Sequence, residues 1–148
     1  MQIVSMSQQE CSELLERVSI GRLACALDNQ PYVVPVGFSY ERPQHIYVFS
    51  TLGKKIEWMR QNPKVCLQAD EVGNRANWDS VVVTGTYVEL REPQYAAQRQ
   101  QAIERLGEFS QWWKTPLAQR RENVSDLEIE TVFFRIDISE MSGLRTIS

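Results

Sequence analysis

The stretch Ile46–Asp70, IYVFSTLGKKIEWMRQNPKVCLQAD, decides how the rest of the chain is arranged. Ile46 to Thr51 is apolar on both alternating faces, with Ile46 and Val48 on one and Tyr47 and Phe49 on the other. That suits a strand covered on two sides. Leu52 and Gly53 break it. Ile56 and Met59 follow at helical spacing after Leu52, and Asn62-Pro63 ends the helix before a second strand begins. The helix therefore starts beside Gly53-Lys54-Lys55, where unpaired backbone N–H groups and two ammonium groups converge. Such a point suits an anionic group, above all a phosphate. Taken alone, the same pattern also describes two solvated surface lysines.

The chain has 148 residues, 43% hydrophobic and 24% charged, with a net charge of -3. This is the composition of a soluble globular protein, long enough to bury a core, and one domain over residues 1–148 is expected. The mild acidic excess argues against a general nucleic-acid binder, and Lys54-Lys55 and Arg120-Arg121 are too isolated to form a basic stripe. No run approaches the roughly 18 apolar residues of a membrane helix. The start, MQIVSMSQQE, has no basic region followed by an apolar block, so no secretory signal is expected. Cys11, Cys25 and Cys66 are odd in number, widely spaced and set in apolar contexts. Reduced thiols in a cytoplasmic protein are the reading.

Taken in order, Ser7-Gln8-Gln9-Glu10 has capping-box spacing. Cys11, Leu14, Leu15 and Val18 supply the apolar face of a short helix, expected to end at Gly21. Arg22 to Leu27 is a short strand with a turn at Asp28-Asn29. Pro31 to Tyr40 is the next strand, with Tyr32, Val34, Val36, Phe38 and Tyr40 on one face and Val33, Pro35, Gly37 and Ser39 on the other. Pro35 and Gly37 point to an edge strand with a bulge, or to close approach by a ligand. After Asp70 a polar loop, EVGNRAN, leads to a long strand, Trp78 to Leu90, whose Gly85 allows the bend a small barrel needs. Pro93 is placed as the first residue of a helix with a buried stripe of Ala102, Ile103, Leu106 and Phe109. Thr131 to Ile138 alternates with Val132, Phe134, Ile136 and Ile138 inward, followed by a tail. About six strands joined mainly by short turns predict a mainly β fold, a small antiparallel barrel with peripheral helices.

Several chemistries lack their residues. His45 is the single histidine, at the start of a strand, and no cysteines are paired, which makes a protein metal site improbable. Neither G-x-S-x-G, G-x-G-x-x-G nor G-x-x-x-x-G-K-[ST] occurs. If the chain is an enzyme, a bound cofactor carries the chemistry.

From Gln30 to Leu90 the chain resembles the pyridoxamine 5′-phosphate oxidase-like family of FMN-binding split β-barrels. The resemblance rests on QPYVVPVGF, IYVFS, the Gly-Lys-Lys turn, a helix ending NPKV, and WDSVVVTGTYVEL, in that order. SIGRLA and WW-x-x-P segments extend it towards the subgroup of small flavin-nucleotide-binding proteins related to nitroimidazole-resistance proteins. The resemblance implies a six-stranded antiparallel split barrel with FMN as cofactor. Val34, Pro35, Val36, Gly37, Phe38 and Ser39 would line the isoalloxazine and ribityl chain. Phe49, Ser50 and Thr51 would flank it, and Lys54 and Lys55 would hold the phosphate. Ser80, beside Trp78, would stand where the oxidases place a glutamine towards the flavin.

Family members are homodimers with two sites at the interface, so Trp112 and Trp113 could cover a partner's flavin. The sequence adds its own ground for a second copy: Ile46–Thr51 is apolar on both faces, and Trp78, Val81 and Val83 add apolar surface. Val34 and Ser39 replace the oxidases' arginine and lysine. The oxidases' C-terminal Arg-x-His is absent, only Gly143 and Arg145 following Ile138, and Phe49 stands where nitroimidazole-resistance proteins often carry histidine. The resemblance therefore implies an FMN-dependent oxidoreductase acting on a small molecule other than pyridoxamine phosphate. A non-catalytic flavin carrier and a haem-binding split barrel, with His45 as the only imidazole, stay open, as does a deazaflavin in place of FMN.

Overall fold

The computed structural model describes residues 1–109 and 131–148. In chain order the elements are β1 (Gln2–Ser5), α1 (Gln8–Arg17), β2 (Ile20–Leu27), β3 (Gln30–Glu41), β4 (His45–Thr51), α2 (Lys54–Gln61), β5 (Lys64–Asn74), β6 (Asn77–Glu89), α3 (Ala96–Arg105), a 3-10 turn (Gly107–Phe109) and β7 (Thr131–Ile147). All strand pairings are antiparallel. The sheet runs β1-β7-β4-β3-β2-β5-β6, and β6 also pairs with β7. Six strands thus close into a ring, the expected antiparallel split barrel, and β1 adds to the far half of β7.

Alternation fills the barrel. Leu23, Phe38, Ile46, Val48, Leu67, Val81, Val83, Phe134 and Ile136 are almost wholly buried inside it. Gly85 sits at a register shift where Thr84 pairs Glu140 but Gly85 pairs Ile138, leaving Ser139 as the extra residue. A Cβ at Gly85 would lie 2.4 Å from the Asp137 carbonyl oxygen, so the bend needs glycine. Ser7 and Glu10 form the capping box of α1 as read. Asp28 and Asn29 both take positive φ, 49° and 63°, in the two-residue β2–β3 hairpin.

Several expectations are corrected. Helix α1 ends at Arg17, because Val18 is already extended; Gly21 lies inside β2, where a Cβ would be 2.9 Å from the Gln68 carbonyl. The polar stretch after Asp70 is not a loop: β5 and β6 run through it as a paired hairpin. Pro93 lies in a turn, and α3 begins only at Ala96. The tail after Ile138 is the second half of β7, paired with β1 and β6. The second face of β4 needs no other molecule. Tyr47 is buried there with Leu90, Ala102, Leu106, Phe109 and Phe133, under α3 and the 3-10 turn of the same chain. Val81 and Val83 are interior, so these residues supply no ground for a second copy. Trp112, Trp113 and Pro116 lie outside the described residues.

Helix α2 closes one end of the barrel with Ile56 and Met59, and Glu89 of β6 helps to tie it down. Arg60 donates to both Glu89 oxygens at 2.8 and 3.0 Å, the Tyr87 hydroxyl donates at 2.5 Å, and Arg91 donates as well. Burial pushes the Glu89 carboxyl up, but the bonds from Arg60, Tyr87 and Arg91 outweigh it and hold it at about 2. A pKa below the unfolded value adds stability that is present above the unfolded pKa and lost as pH falls towards the folded one. Glu89 is expected to contribute about 3 kcal/mol at neutral pH. Denaturant titrations at pH 7 and pH 2.5 should show most of that difference in the wild type and little of it in Glu89→Gln.

Candidate functional site

Strands β3 and β4 pair only at Phe38–Glu41 against His45–Val48. Below that point β3 keeps β2 as its neighbour and β4 keeps β7, so the two strands part and leave a fork. Phe38 donates its N–H to the Ser19 carbonyl on the β2 side, at 2.9 Å. By the alternation of an antiparallel ladder, the backbone groups of Val33, Pro35 and Gly37 face the β4 side, which is open at Val33 and Pro35 and covered at Gly37. Pro35 has no N–H to lose there, which answers the edge-strand reading of that residue. The β2–β3 register is continuous, so Gly37 marks no bulge. A Cβ at Gly37 would lie 2.8 Å from the Phe109 ring, so the close approach at that glycine is made by a side chain of the same chain.

The alternation also sorts the expected site residues. Val34, Val36 and Phe38 pack against the barrel core, whereas Pro35, Gly37 and Ser39 face outward. Ser39 lines a cleft of about 310 Å³ with Ser19, Glu16, Arg17 and Glu108. Phe49 faces outward, its ring 6.1 Å from that of Phe109. Ser50 is buried and donates to the Thr51 carbonyl at 3.0 Å, and Thr51 is exposed.

Gly53 precedes α2 with open space around it, and Glu57 donates the first helical bond to its carbonyl at 3.0 Å. The two lysines that follow differ. The Lys54 ammonium lies 5.0 Å from the Tyr32 ring centre and 4.7 Å from that of Trp58, held by two aromatic faces. Lys55 is half-buried, and burial pushes its ammonium pKa down, with only the Cys25 thiol acting the other way. No carboxylate pairs with it among the described residues. Tyr32 and Trp58 were not singled out as site residues in the sequence. The i, i+4 spacing of Lys54 and Trp58 was the available signal.

Trp78 and Ser80 lie elsewhere on the chain. They are on β6, separated from β3 by β5 and β2 in the sheet. Ser80 accepts from Gln68 at 3.0 Å, Gln68 also donates to Asp70, and Arg22 pairs with Asp70 at 3.3 Å, a structural role for that arginine. This outer face of the sheet carries Ile3, Ile20, Val33, Val72, Val82 and Leu144, all exposed. A shallow cleft of about 660 Å³ crosses it over Ala24, Ala26, Pro31, Cys66 and Thr86.

His45 stands at the start of β4 with Nδ1 3.2 Å from Glu41 and Nε2 3.6 Å from Asp137, so both ring nitrogens face carboxylates. The three cysteines are free. Among the described residues no group of three or more potential ligands could hold a metal ion, and no helix is long and apolar enough to cross a membrane. Arg145 is spent on Asp79, at 2.9 Å, and on Glu10 at the start of α1.

A family model described as pyridoxamine 5′-phosphate oxidase matches residues 7–145. The chain belongs to that family. An uncharacterized protein of Rhizobium meliloti (strain 1021) is 38% identical over 143 residues, covering 93% of this chain and 91% of that protein. The crystal structure of an FAD-binding protein from Mesorhizobium loti superposes with a TM-score of 0.81 at 41% identity, covering 100% of this chain and 99% of that one. A Bacteroides thetaiotaomicron protein, provisionally described as a 5-nitroimidazole antibiotic resistance protein, shares the fold at 18% identity. Its TM-score is 0.68, over 98% of this chain and 89% of that one.

Within this pyridoxamine 5′-phosphate oxidase family member, a half-buried ammonium with no carboxylate partner among the described residues costs the ligand-free protein stability. Replacing Lys55 with Met should raise the stability of the ligand-free protein by about 0.5–2 kcal/mol, measured as a higher denaturant midpoint at unchanged slope. Lys54→Met should lower it slightly, because two cation–π contacts are lost.

Proposed function

We propose that this chain binds FMN along the open edge of β3 and works as a flavin-dependent oxidoreductase on a small molecule. The observation that carries the reading is Lys55, a partly desolvated ammonium that pairs with no carboxylate among the described residues, beside the free N–H groups at the start of α2. That point favours a phosphate. From there the exposed outer side of β3, with Val33 and Pro35, offers an apolar surface. The unpaired edge at Val33 and Pro35 offers two backbone carbonyls and the Val33 N–H to a heterocycle. Bound flavin would supply hydride or electron transfer; the protein's own residues hold, orient and desolvate it.

The 41% identical Mesorhizobium protein is described as FAD-binding, so FAD is the second reading. Lys54 with Tyr32 and Trp58 gives it a cationic and aromatic neighbourhood beyond the first phosphate. A haem reading has little support, since His45 already faces two carboxylates. The free thiols favour a cytoplasmic setting.

The site is expected to be completed by a second copy of the chain. The support comes from the outer sheet face, where exposed apolar residues and small side chains at Ala24 and Ala26 make a flat surface beside the open edge. A two-fold contact through that face would bring Trp78 and Ser80 of one protomer towards the β3 edge of its partner.

Each charge-assisted hydrogen bond to phosphate is worth about 1.5–3 kcal/mol. FMN should therefore bind at least tenfold more tightly than riboflavin in a fluorescence titration, and Lys55→Gln should close most of that gap. Equal wild-type affinities for the two would contradict the phosphate site. Extraction and mass measurement of a copurifying chromophore separates FMN from FAD. Pyridoxamine phosphate should not be oxidised at a useful rate, because Arg145 is held by Asp79 and Glu10 and Ile147 stands where an Arg-x-His clamp would place its histidine. FMN-dependent formation of pyridoxal phosphate would refute that.

A further inference from the structure

Alternation along β6 and β7 leaves another cavity on the outer face of the sheet. Trp78, Val82 and Leu144 line it with Ser80 and Ser142, around a cleft of about 480 Å³. The chain between β1 and α1 closes one side. There the Met6 N–H donates to the Gly143 carbonyl at 2.8 Å, and the Gln8 side-chain amide donates to the Met141 carbonyl at 2.7 Å. Trp78 is fixed through its own backbone, whose N–H donates to the Thr146 hydroxyl at 3.0 Å. Trp58 is occupied by Tyr32 and Lys54, but Trp78 makes no ring or cation contact among the described residues, so its indole is open to the cleft.

No charged side chain lines this cleft among the described residues. Asp79 and Arg145, its neighbours in sequence, alternate to the opposite face of the sheet and pair with each other at 2.9 Å. On the same face, Asp70 stands across from Ser80 in register and is neutralised by Arg22 at 3.3 Å, while Glu140 lines the neighbouring cleft. Ser80 accepts from Gln68, which leaves its own O–H free to donate. A charged ligand would give up hydration here and find no counter-ion. An uncharged ring would cover the indole and two aliphatic side chains without that cost.

We propose that this cleft receives the small molecule on which the flavin acts, and that the molecule is an uncharged planar ring compound with an oxygen that accepts from Ser80. The assignment as substrate rests on the flavin and two-fold readings above, by which Trp78 and Ser80 of one protomer face the β3 edge of its partner.

The test is calorimetric titration of wild type, Ser142→Leu and Ser80→Ala with three isosteric, redox-inert probes: naphthamide, naphthoate and naphthylmethylammonium. Each protein is also titrated with FMN alone, and its flavin spectrum is followed as the amide is added. The wild type should bind the amide about tenfold or more tightly than either charged probe. Ser142→Leu, which fills the cleft, should weaken the amide by about tenfold and leave FMN unchanged. Ser80→Ala, which removes the donor and serves alone if the leucine variant does not fold, should weaken it by about threefold to tenfold. In the flavin-loaded wild type the amide should shift the flavin's visible band. Equal binding of the three probes, no amide binding, folded variants that bind the amide like the wild type, or an unaltered flavin band each overturn the proposal and leave the flavin reading standing. A wild type that does not bind FMN overturns both.

Discussion

The parting of β3 and β4 is the constraint on which the rest depends. A closed ring of six strands would leave no backbone edge and no cleft, but these two strands pair over only four residues each. Leu52 and Gly53 end β4, and α2 turns across the barrel end, burying Ile56 and Met59. The helix keeps the core dry where the ring is split. Its start also delivers two lysines to the mouth of the fork. Closure of the core and placement of the charge are thus one event in the chain.

Two carboxylates hold the walls of the fork in place. Glu89 ties α2 to β6 through Arg60. Glu41, at the end of β3, receives the Tyr47 hydroxyl at 3.1 Å, His45 at 3.2 Å, Gln101 at 2.6 Å and Arg105 at 2.9 Å. Burial pushes the Glu41 carboxyl up, but the His45 and Tyr47 hydrogen bonds and the Arg105 charge bring it below the usual range. The last two donors belong to α3, the helix that leads into Phe109. One carboxylate therefore orients the lysines and the other the Phe109 ring over Gly37, and each is satisfied by several hydrogen bonds, the condition under which a partly buried charge holds geometry.

The barrel was legible because its signals are local. The break at Leu52-Gly53, the Asp28-Asn29 hairpin, the capping box at Ser7 and the bend at Gly85 each follow from a few adjacent residues. What was misread depends on partners distant in sequence. The polar residues 71–77 look like a loop because a hairpin exposed on both faces buries nothing that periodicity can register. The apolar outer face of β4 looked like an interface between molecules, since no local pattern tells that α3, some fifty residues later, returns to cover it. The difference between Lys54 and Lys55 was invisible for the same reason. Tyr32 and Cys25, which distinguish them, come from a different hairpin. Gly37 was read as a bulge or as a close approach by a ligand, whereas the group that approaches it is a side chain 72 positions away.

The central claim is that the fork holds a flavin nucleotide whose site is finished by a second copy of the chain. Native mass spectrometry of the protein reconstituted with FMN tests this most directly. The account predicts one dominant species with the mass of two chains and two FMN molecules, and a Lys55→Gln protein that stays dimeric while losing the bound FMN. A single chain carrying one FMN, or a dimer that keeps FMN in the Lys55→Gln form, would contradict it.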